Sequence, residues 1–217
     1  MEGSELRLFV SVPIASFRRA YAREYWETYR CPPPATLYGM LLSVVGEGNR
    51  LVHRGVEIAV ALLSVPRVSV VVRKLWRVKE KRVGLGIGKN ARPEFQELLT
   101  GVRLSLWVRR GDGEGVSPPL VARLQGAFSE PAGVWRFGGL SLGESAHLVD
   151  EIRPWRETDG REGRILVPDD EGGDLVLPIW ADHVASMDTK WGRFTIGRAE
   201  ALPAVPPEAA WIAVEAA

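Results

Sequence analysis

The segment LRLFVSV at residues 6–12 alternates aliphatic side chains with other types along its whole length. Leucine or valine occupies every even-numbered position, whereas Arg7, Phe9 and Ser11 occupy the odd-numbered ones. A period of two predicts a β-strand that buries one face. The same alternation returns in VRLSLWV at residues 102–108, so the sequence predicts two half-buried strands of similar character.

Two further segments have helical spacing. From Pro34 onward, apolar side chains recur three and four positions apart, and proline is favoured in the first turn of a helix. A second helix is predicted for PPLVARLQGAF, which begins at Pro118. The remaining predicted elements are one or two strands within residues 56–72, a short helix or turn at 93–100, and a strand at 135–145 that leads into a glycine turn.

The order strand, helix, strand, strand, helix, strand predicts an α+β fold of ferredoxin-like type, which is also the RRM fold. Its first and third strands lie side by side in the middle of the sheet, so Arg7, Phe9, Arg103 and Trp107 would share one face. Such a face stacks on RNA bases in RRM domains. The alternative is that the C-terminal segment covers this face, since no RNP1 motif is present and the fold serves many functions.

The composition is that of a globular protein and narrows the possible functions. Of the 217 residues, 46% are apolar and 25% are charged, and no apolar run approaches the ~18 residues of a membrane span. The N-terminus lacks the features of a signal peptide, so a cytoplasmic location without membrane contact is expected. Cys31 is the single cysteine, and the three histidines lack metal-binding spacing, so no metal or other cofactor is expected.

The two halves of the chain differ strongly in charge. Residues 1–110 carry 19 basic and 9 acidic side chains, whereas residues 111–217 carry 9 basic and 18 acidic ones. The basic half is expected to face a polyanion, and the acidic half to face protein or solvent. Eight basic residues and one acidic residue lie at 73–92, where alternate glycines disfavour a helix and predict a projecting hairpin or a mobile loop.

A resemblance to a known family rests on three motifs. The first, within residues 10–46, comprises Ala-Ser-Phe at 15–17, an arginine-rich and aromatic loop that ends in Tyr-Arg-Cys-Pro-Pro, and a helix that contains Tyr-Gly-Met-Leu. The second is Arg-Pro-Glu-Phe-Gln at 92–96, and the third is Gly-Leu-Ser-Leu-Gly-Glu-Ser at 139–145. Together these motifs resemble the fifth family of Cas proteins, within the RAMP superfamily.

The resemblance implies a ferredoxin-like domain at residues 1–145 with an extended basic hairpin, or thumb, at about 67–98, followed by a β-rich extension at 146–217. It also implies a non-catalytic subunit of a type I CRISPR surveillance complex (Cascade) that binds the 5′ handle of the guide RNA (crRNA). The implied partners are the crRNA and the backbone and large subunits, with target DNA contacted indirectly through the complex.

Two regions supply the residues predicted to bind RNA, because arginine pairs with phosphate and aromatic rings stack on bases. In the loop after the first strand and the helix that follows, they are Ser16, Arg18, Arg19, Tyr21, Arg23, Tyr25, Tyr29, Arg30, Pro33, Thr36 and Gly39. In the thumb they are Lys74, Trp76, Arg77, Lys79, Lys81, Arg82, Lys89 and Arg92. A helix N-terminus at Pro34 would add free amides for phosphate. The alternative for each region is structural, namely ring packing or a solvated charged surface.

Two other functions stay open at this point. Some members of the family cleave precursor crRNA without a metal, through a tyrosine, a lysine and a histidine, and Tyr38 and Lys74 are the candidates for the first two. No Lys-His pair is present; His53 is expected at the surface, His147 partly buried, and His183 in the poorly matched tail. The other possibility is an RRM-like RNA-binding adaptor outside CRISPR.

Overall fold

The computed structural model describes residues 5–182 and 187–216. In that part of the chain, eleven strands join one sheet and two α-helices pack against it, so the fold is α+β as predicted. The strands are β1 (Glu5–Ala15), β2 (Tyr25–Trp26), β3 (Glu57–Leu62), β4 (Arg67–Trp76), β5 (Ala91–Arg109), β6 (Glu151–Pro154), β7 (Glu162–Pro168), β8 (Leu175–Trp180), β9 (Lys190–Ile196), β10 (Glu200–Ala201) and β11 (Ile212–Ala213), and the helices are α1 (Pro34–Val44) and α2 (Leu120–Ser129).

The strand order places the two alternating segments at neighbouring positions. Along the sheet the order is β6-β1-β5-β3-β7-β9-β8, and every neighbouring pair on this path is antiparallel. Leu8 lies opposite Leu106 and Val10 lies opposite Leu104, and all four side chains are fully buried. The predicted pairing of the first strand with residues 102–108 is therefore confirmed.

Both predicted helices are present and pack on the inner face of the sheet. Leu37 and Leu41 of α1 and Leu120 and Leu124 of α2 are each 0% exposed and belong to the same core as the central strands. The helix α1 also contacts β8, which brings a C-terminal strand next to the N-terminal motif.

Two of the predicted elements are wrong. Residues 93–100 are part of β5 rather than a short helix or turn. Phe95 pairs with Val72 of β4 on one side and with Tyr25 of β2 on the other, so neighbouring strands hold it in an extended conformation. Residues 135–145 form loops and turns with one isolated bridge, and β6 supplies the strand beside β1 instead.

The C-terminal segment covers the outer face of the central strands. Phe9 and Trp107 are only 3% and 1% exposed. The indole N–H of Trp107 donates to the carbonyl oxygen of Ala204 at 2.9 Å, and the guanidinium of Arg7 lies 3.6 Å from the centre of the Trp155 ring. The alternative in which this face is buried is confirmed, so these rings are not accessible for stacking on RNA.

His53 lies in a buried polar network, so its predicted surface position is wrong. Its Nδ1 is 2.7 Å from Oε1 of Glu114, and its Nε2 is 2.9 Å from Nη1 of Arg123. Because arginine can only donate, Nε2 accepts and the proton lies on Nδ1. Oε1 of Glu114 also accepts the N–H of Leu120 at 2.7 Å, so the network joins the segment after α1 to the first turn of α2.

Three further features concern membrane spans, metal ions and the single cysteine. No helix in residues 5–182 or 187–216 has the length and apolar character needed to cross a bilayer. Across the same residues, no group of three or more His, Cys, Asp and Glu side chains is placed to hold a metal ion. Cys31 is buried, and burial raises the pKa of its thiol to about 12, which is unfavourable for a nucleophile.

Candidate nucleic-acid interface

The loop between β1 and α1 is folded back on itself and ordered. The N–H of Phe17 donates to Oγ1 of Thr28 at 2.8 Å, and the N–H of Tyr29 donates to the carbonyl of Phe17 at 2.8 Å. At the start of the loop, the N–H of Ser16 donates to Nδ1 of His147 at 3.1 Å. These bonds determine where the loop arginines lie.

A groove, called here the α1 groove, runs along the exposed face of α1. It consists of two cavities of about 260 and 330 Å³, and Thr36, Gly143 and Pro178 border both. Six residues predicted to bind RNA lie in this groove: Ser16, Arg18, Tyr29, Pro33, Thr36 and Gly39. The tertiary structure therefore brings together residues that are spread over the first motif.

Gly39 leaves the middle of the α1 groove open. It lies in the interior of α1 and is exposed, and a Cβ added there would meet no atom of residues 5–182 or 187–216 within 4 Å. Glycine in a helix interior costs roughly 1 kcal/mol relative to alanine. No packing contact with the described residues requires glycine at this position, so space for a ligand is a physical reason for it.

The first turn of α1 offers fewer free amides than the sequence predicts. Pro34 has no N–H, and the N–H groups of Thr36 and Leu37 donate to the carbonyl of Pro33 at 2.9 and 3.1 Å. Among the described hydrogen bonds, only the N–H of Ala35 in this turn is left for a ligand. The arginines must therefore supply most of the positive charge at the groove.

A further cavity of about 620 Å³, called here the arginine cavity, lies between the loop and the C-terminal half. Three guanidinium groups border it, those of Arg19 and Arg30 in the loop and Arg164 in β7. Arg19 also lies 3.6 Å from a carboxylate oxygen of Glu27, in an exposed pair of modest energy. Because Arg164 belongs to the acidic half, that half supplies one wall of the surface rather than staying away from it.

The other loop residues predicted to bind RNA lie outside the α1 groove. Arg23 is exposed, and Tyr21 is 85% exposed. Tyr25 lies at the base of the thumb, where its hydroxyl donates to Oε1 of Glu97 at 3.1 Å and its ring lies 6.3 Å from that of Phe95. Tyr25 therefore has a structural partner as well as an exposed face.

The thumb is an ordered hairpin formed by β4 and the first half of β5. Asn90 holds its tip: Oδ1 accepts the N–H groups of Lys79 and Glu80 at 2.7 and 2.8 Å, and Nδ2 donates to the carbonyls of Glu80 and Val83 at 2.8 and 2.6 Å. The thumb residues predicted to bind RNA are exposed at Lys74, Trp76, Lys79, Lys81, Arg82 and Lys89, and half-buried at Arg77 and Arg92.

One face of the thumb is apolar as well as exposed. Val68, Val70 and Val72 of β4 point to the same side as Phe95 of β5, and they are 58%, 46%, 66% and 39% exposed, respectively. An exposed apolar strand face with basic residues nearby is typical of a protein contact surface rather than of a simple solvated hairpin.

The groups considered for RNA cleavage are engaged within the fold. Tyr38 is buried, its hydroxyl donates to the carbonyl of Arg50 at 2.7 Å, and burial raises its pKa to about 12. His147 is buried, close to the predicted partial burial, and burial lowers its pKa while Nδ1 accepts a backbone N–H. Lys74 is exposed on the thumb, and His183 lies outside the described residues.

Comparison with known proteins shows the family of this chain. The chain is 40% identical over 201 residues to "CRISPR-associated protein Cas5" of Myxococcus xanthus (strain DK1622), a match that covers 93% of this chain and 92% of that protein. The chain belongs to the Cas5 family. The resemblance drawn from the three motifs is therefore confirmed.

Two solved structures share the fold of this Cas5-family chain. A chain of a "CRISPR RNA-guided surveillance complex" matches with a TM-score of 0.59 at 15% identity, over 94% of this chain and 95% of its own length. A second, "Crystal structure of Cas protein", matches with a TM-score of 0.53 at 12% identity, over 92% and 95%. At these identities the likeness concerns the fold alone. No protein-family model matches the sequence.

Several residues of this Cas5-family chain that border the interface are not evident from its motifs. Trp180 and Trp191 reach it because β8 and β9 pair with each other and β8 contacts α1. Arg50 lies 4.0 Å from the centre of the Trp180 ring and borders the α1 groove. The tryptophans in strand-like segments of the C-terminal half are the one sequence signal that could have pointed to them.

Proposed function

We propose that this chain is a non-catalytic subunit of a type I CRISPR-Cas effector complex (Cascade), in which it binds the 5′ handle of the crRNA. In that role it caps the complex beside the large and backbone subunits. The observation that carries the proposal is the α1 groove with the adjacent arginine cavity, in which residues of the family motif are gathered beside three guanidinium groups. Membership of the Cas5 family supports the same role.

The chemistry of this surface suits a bent single strand of RNA. Such a strand needs cations for its phosphates and aromatic rings for its bases. Arg19, Arg30 and Arg164 provide the cations around one cavity. Tyr29 borders the α1 groove, and the centre of its ring lies 5.6 Å from the guanidinium carbon of Arg19, so it provides an aromatic edge close to those cations. The bare face of α1 at Gly39 lets a sugar–phosphate backbone approach the helix closely.

The thumb is assigned to contacts with both crRNA and a neighbouring subunit. Its exposed lysines and arginines suit phosphate, whereas its apolar face around Val70 and Val72 suits the packing of another protein. A surface of this kind, with both characters on one ordered hairpin, supports a position between RNA and the backbone or large subunit. Target DNA would then be contacted only through the assembled complex.

The proposal also gives this chain a ferredoxin-like core. The strand order β6-β1-β5-β3, with α1 after β1 and α2 after β5, supports it because this is the order of a split βαβ sheet. The division into a domain at residues 1–145 and an extension at 146–217 stays part of the proposal. The strand β6, from the second segment, completes the sheet of the first.

The buried and hydrogen-bonded state of Tyr38 and His147 supports a non-catalytic role. General acid–base cleavage of RNA needs groups that reach the 2′-hydroxyl and exchange protons near neutral pH. Specific cutting of a labelled precursor crRNA by the purified protein would contradict this part of the proposal.

The experiment that tests RNA binding is charge reversal in the arginine cavity. Arg19→Glu combined with Arg30→Glu puts carboxylates where phosphates are expected, and the subunit is expected to be lost from the crRNA-bound complex on co-expression. Folding is expected to persist, because a surface charge changes stability by only about ±0.5 kcal/mol. In a salt titration with single-stranded repeat RNA, the log–log slope is expected to flatten by about 0.7 for each phosphate contact removed.

The matched control is the double variant Arg161→Glu and Arg198→Glu. Both side chains are exposed, and neither borders the cavities described above. The control is expected to assemble with crRNA as the unmodified protein does. Arg164 is unsuitable as a control because it borders the same cavity as Arg19 and Arg30. Loss of the control from the complex while the loop variant stays bound would refute the proposed orientation.

A further inference from the structure

A fourth cavity, of about 450 Å³, lies between the loop and the strands of the C-terminal half. It is bordered by Tyr21 of the loop, in the N-terminal half of the chain, and by Trp191 of β9, in the C-terminal half. Tyr29, Leu175 and Val176 also border it. The rings of Tyr21 and Trp191 are nearly parallel, with an interplanar angle of 17° and a centroid separation of 6.4 Å.

That separation is large for two rings that stabilise each other. It lies near the outer limit of the ~4.5–7 Å range of aromatic pairs. It is also close to the ~6.8 Å that two successive stacking steps of about 3.4 Å occupy. Tyr21 is 85% exposed and so gains little from packing, whereas Trp191 is half-buried and held in β9. The pair is therefore one ring held in β9 and one exposed ring, and both border the same cavity of about 450 Å³.

The charges around this cavity favour a base over a phosphate. Glu27 and Asp174 both border it, and the guanidinium of Arg19 lies 3.6 Å from a carboxylate oxygen of Glu27. With two carboxylates and one guanidinium, this cavity disfavours a phosphate, whereas a carboxylate accepts hydrogen bonds from the exocyclic amino group of a base. The arginine cavity shares Arg19 and Asp174 with it but adds Arg30 and Arg164, so its charge favours a phosphate, and a phosphate and its own base could occupy the two cavities at once.

We propose that Tyr21 and Trp191 form a clip that holds one base of the bound RNA, and that Asp174 selects a base with an exocyclic amino group over uracil. This inference rests on the proposed function, because it takes the RNA to lie along the arginine cavity. It assigns a base-recognition role to the acidic half of the chain. Stacking by the clip supplies affinity, and the carboxylate supplies the preference among bases.

The test uses the complex reconstituted with RNA that carries the repeat sequence from the same genome, with a fluorescent base analogue at each handle position in turn. At one handle position, the fluorescence of the analogue is expected to be quenched in the unmodified complex and to increase in the Trp191→Ala variant. Affinity for the RNA is expected to fall by roughly 5- to 150-fold, the range found for loss of one stacked base. Trp191→Phe is expected to restore most of the quenching and most of the affinity for the RNA.

Trp135→Ala is the matched control, because Trp135 is 80% exposed and borders none of the described cavities. It is expected to change neither fluorescence nor affinity. Asp174→Ala is expected to abolish the difference in affinity between RNAs with cytosine and uracil at the quenched position. An unchanged difference would overturn the selectivity.

Failure of the clip and failure of the proposed function give different results. If Trp191→Ala leaves quenching and affinity unchanged while reversal of Arg19 and Arg30 removes the RNA, the clip is wrong and the RNA-binding role stands. If reversal of Arg19 and Arg30 also leaves RNA binding unchanged, the RNA does not lie along this surface and both proposals fall.

Discussion

Gly39 offers a test in which stability and RNA binding are expected to respond to different substitutions. A Cβ at this position meets no atom within 4 Å in the part of the chain that the structure describes, so Gly39→Ala introduces no clash in α1. Alanine is favoured over glycine in a helix interior by about 0.8–1 kcal/mol. For a chain of 217 residues, that gain corresponds to a rise in the melting temperature of roughly 2–4 °C.

The larger substitution Gly39→Trp fills the middle of the α1 groove. If the RNA backbone lies against this face of α1, the indole must be displaced or must exclude it, and affinity is expected to fall at least about tenfold, equivalent to ~1.4 kcal/mol. Thermal unfolding followed by circular dichroism and RNA binding followed by fluorescence anisotropy measure the two effects separately. The melting temperature of the tryptophan variant is expected to stay within a few degrees of that of the unmodified protein.

Gly126 is the matched control for both substitutions. It lies in α2, is exposed, and likewise has no atom within 4 Å of an added Cβ. Gly126→Ala is expected to stabilise the fold by a similar amount, and Gly126→Trp to leave RNA affinity unchanged. RNA affinity that survives Gly39→Trp, or that falls equally in Gly126→Trp, would show that the bare face of α1 is not the RNA site.

Two further predictions concern buried polar groups. Glu114→Ala leaves the N–H of Leu120 and Nδ1 of His53 without an acceptor. Because each orphaned donor costs about 1–3 kcal/mol, the melting temperature is expected to fall by roughly 4–24 °C. A fall below about 2 °C would contradict the described network. Burial is the main cause that lowers the pKa of His147 in the folded protein, so the unfolded chain binds more protons below its ordinary pKa of about 6.5. The stability that His147 contributes is therefore complete above about pH 6.5 and is lost as pH falls through the lower folded pKa. Urea unfolding between pH 5 and 7 is expected to show a free energy of unfolding that decreases as the pH falls. His147→Gln is expected to make this pH dependence weaker.

Much of the fold could be predicted from local sequence. The alternation in 6–12 and 102–108 and the helical spacing after Pro34 and Pro118 each concern contiguous residues, and all four elements are confirmed. Residues 93–100 do not form the predicted helix or turn, because strand pairing with β2 and β4, rather than local preference, keeps them extended. Long-range pairing of this kind leaves no periodic signal in the segment itself.

Some residues of the candidate site could also be predicted from the sequence, whereas others could not. The family motif brings Ser16, Arg18 and Gly39 to attention because they are close in sequence, and the α1 groove contains all three. Trp191 and Arg164 are more than a hundred residues away from that motif, and no local pattern links them to it. The burial of Trp107 was likewise open, because an outward-facing ring on a strand can either meet a ligand or be covered.

The sequence alone determined the central strands, the two helices, the basic thumb and the family, since each of these depends on the spacing and type of neighbouring residues. Only the tertiary structure decided that His53 is buried, that the outer face of the sheet is covered, and that the acidic half contributes a wall to the arginine cavity. The physical reason is that burial and shared cavities are set by antiparallel pairing between distant strands and by the contact of α1 with β8. Such contacts bring side chains from distant parts of the chain within a few ångströms of one another, and the order of residues along the chain does not record that proximity.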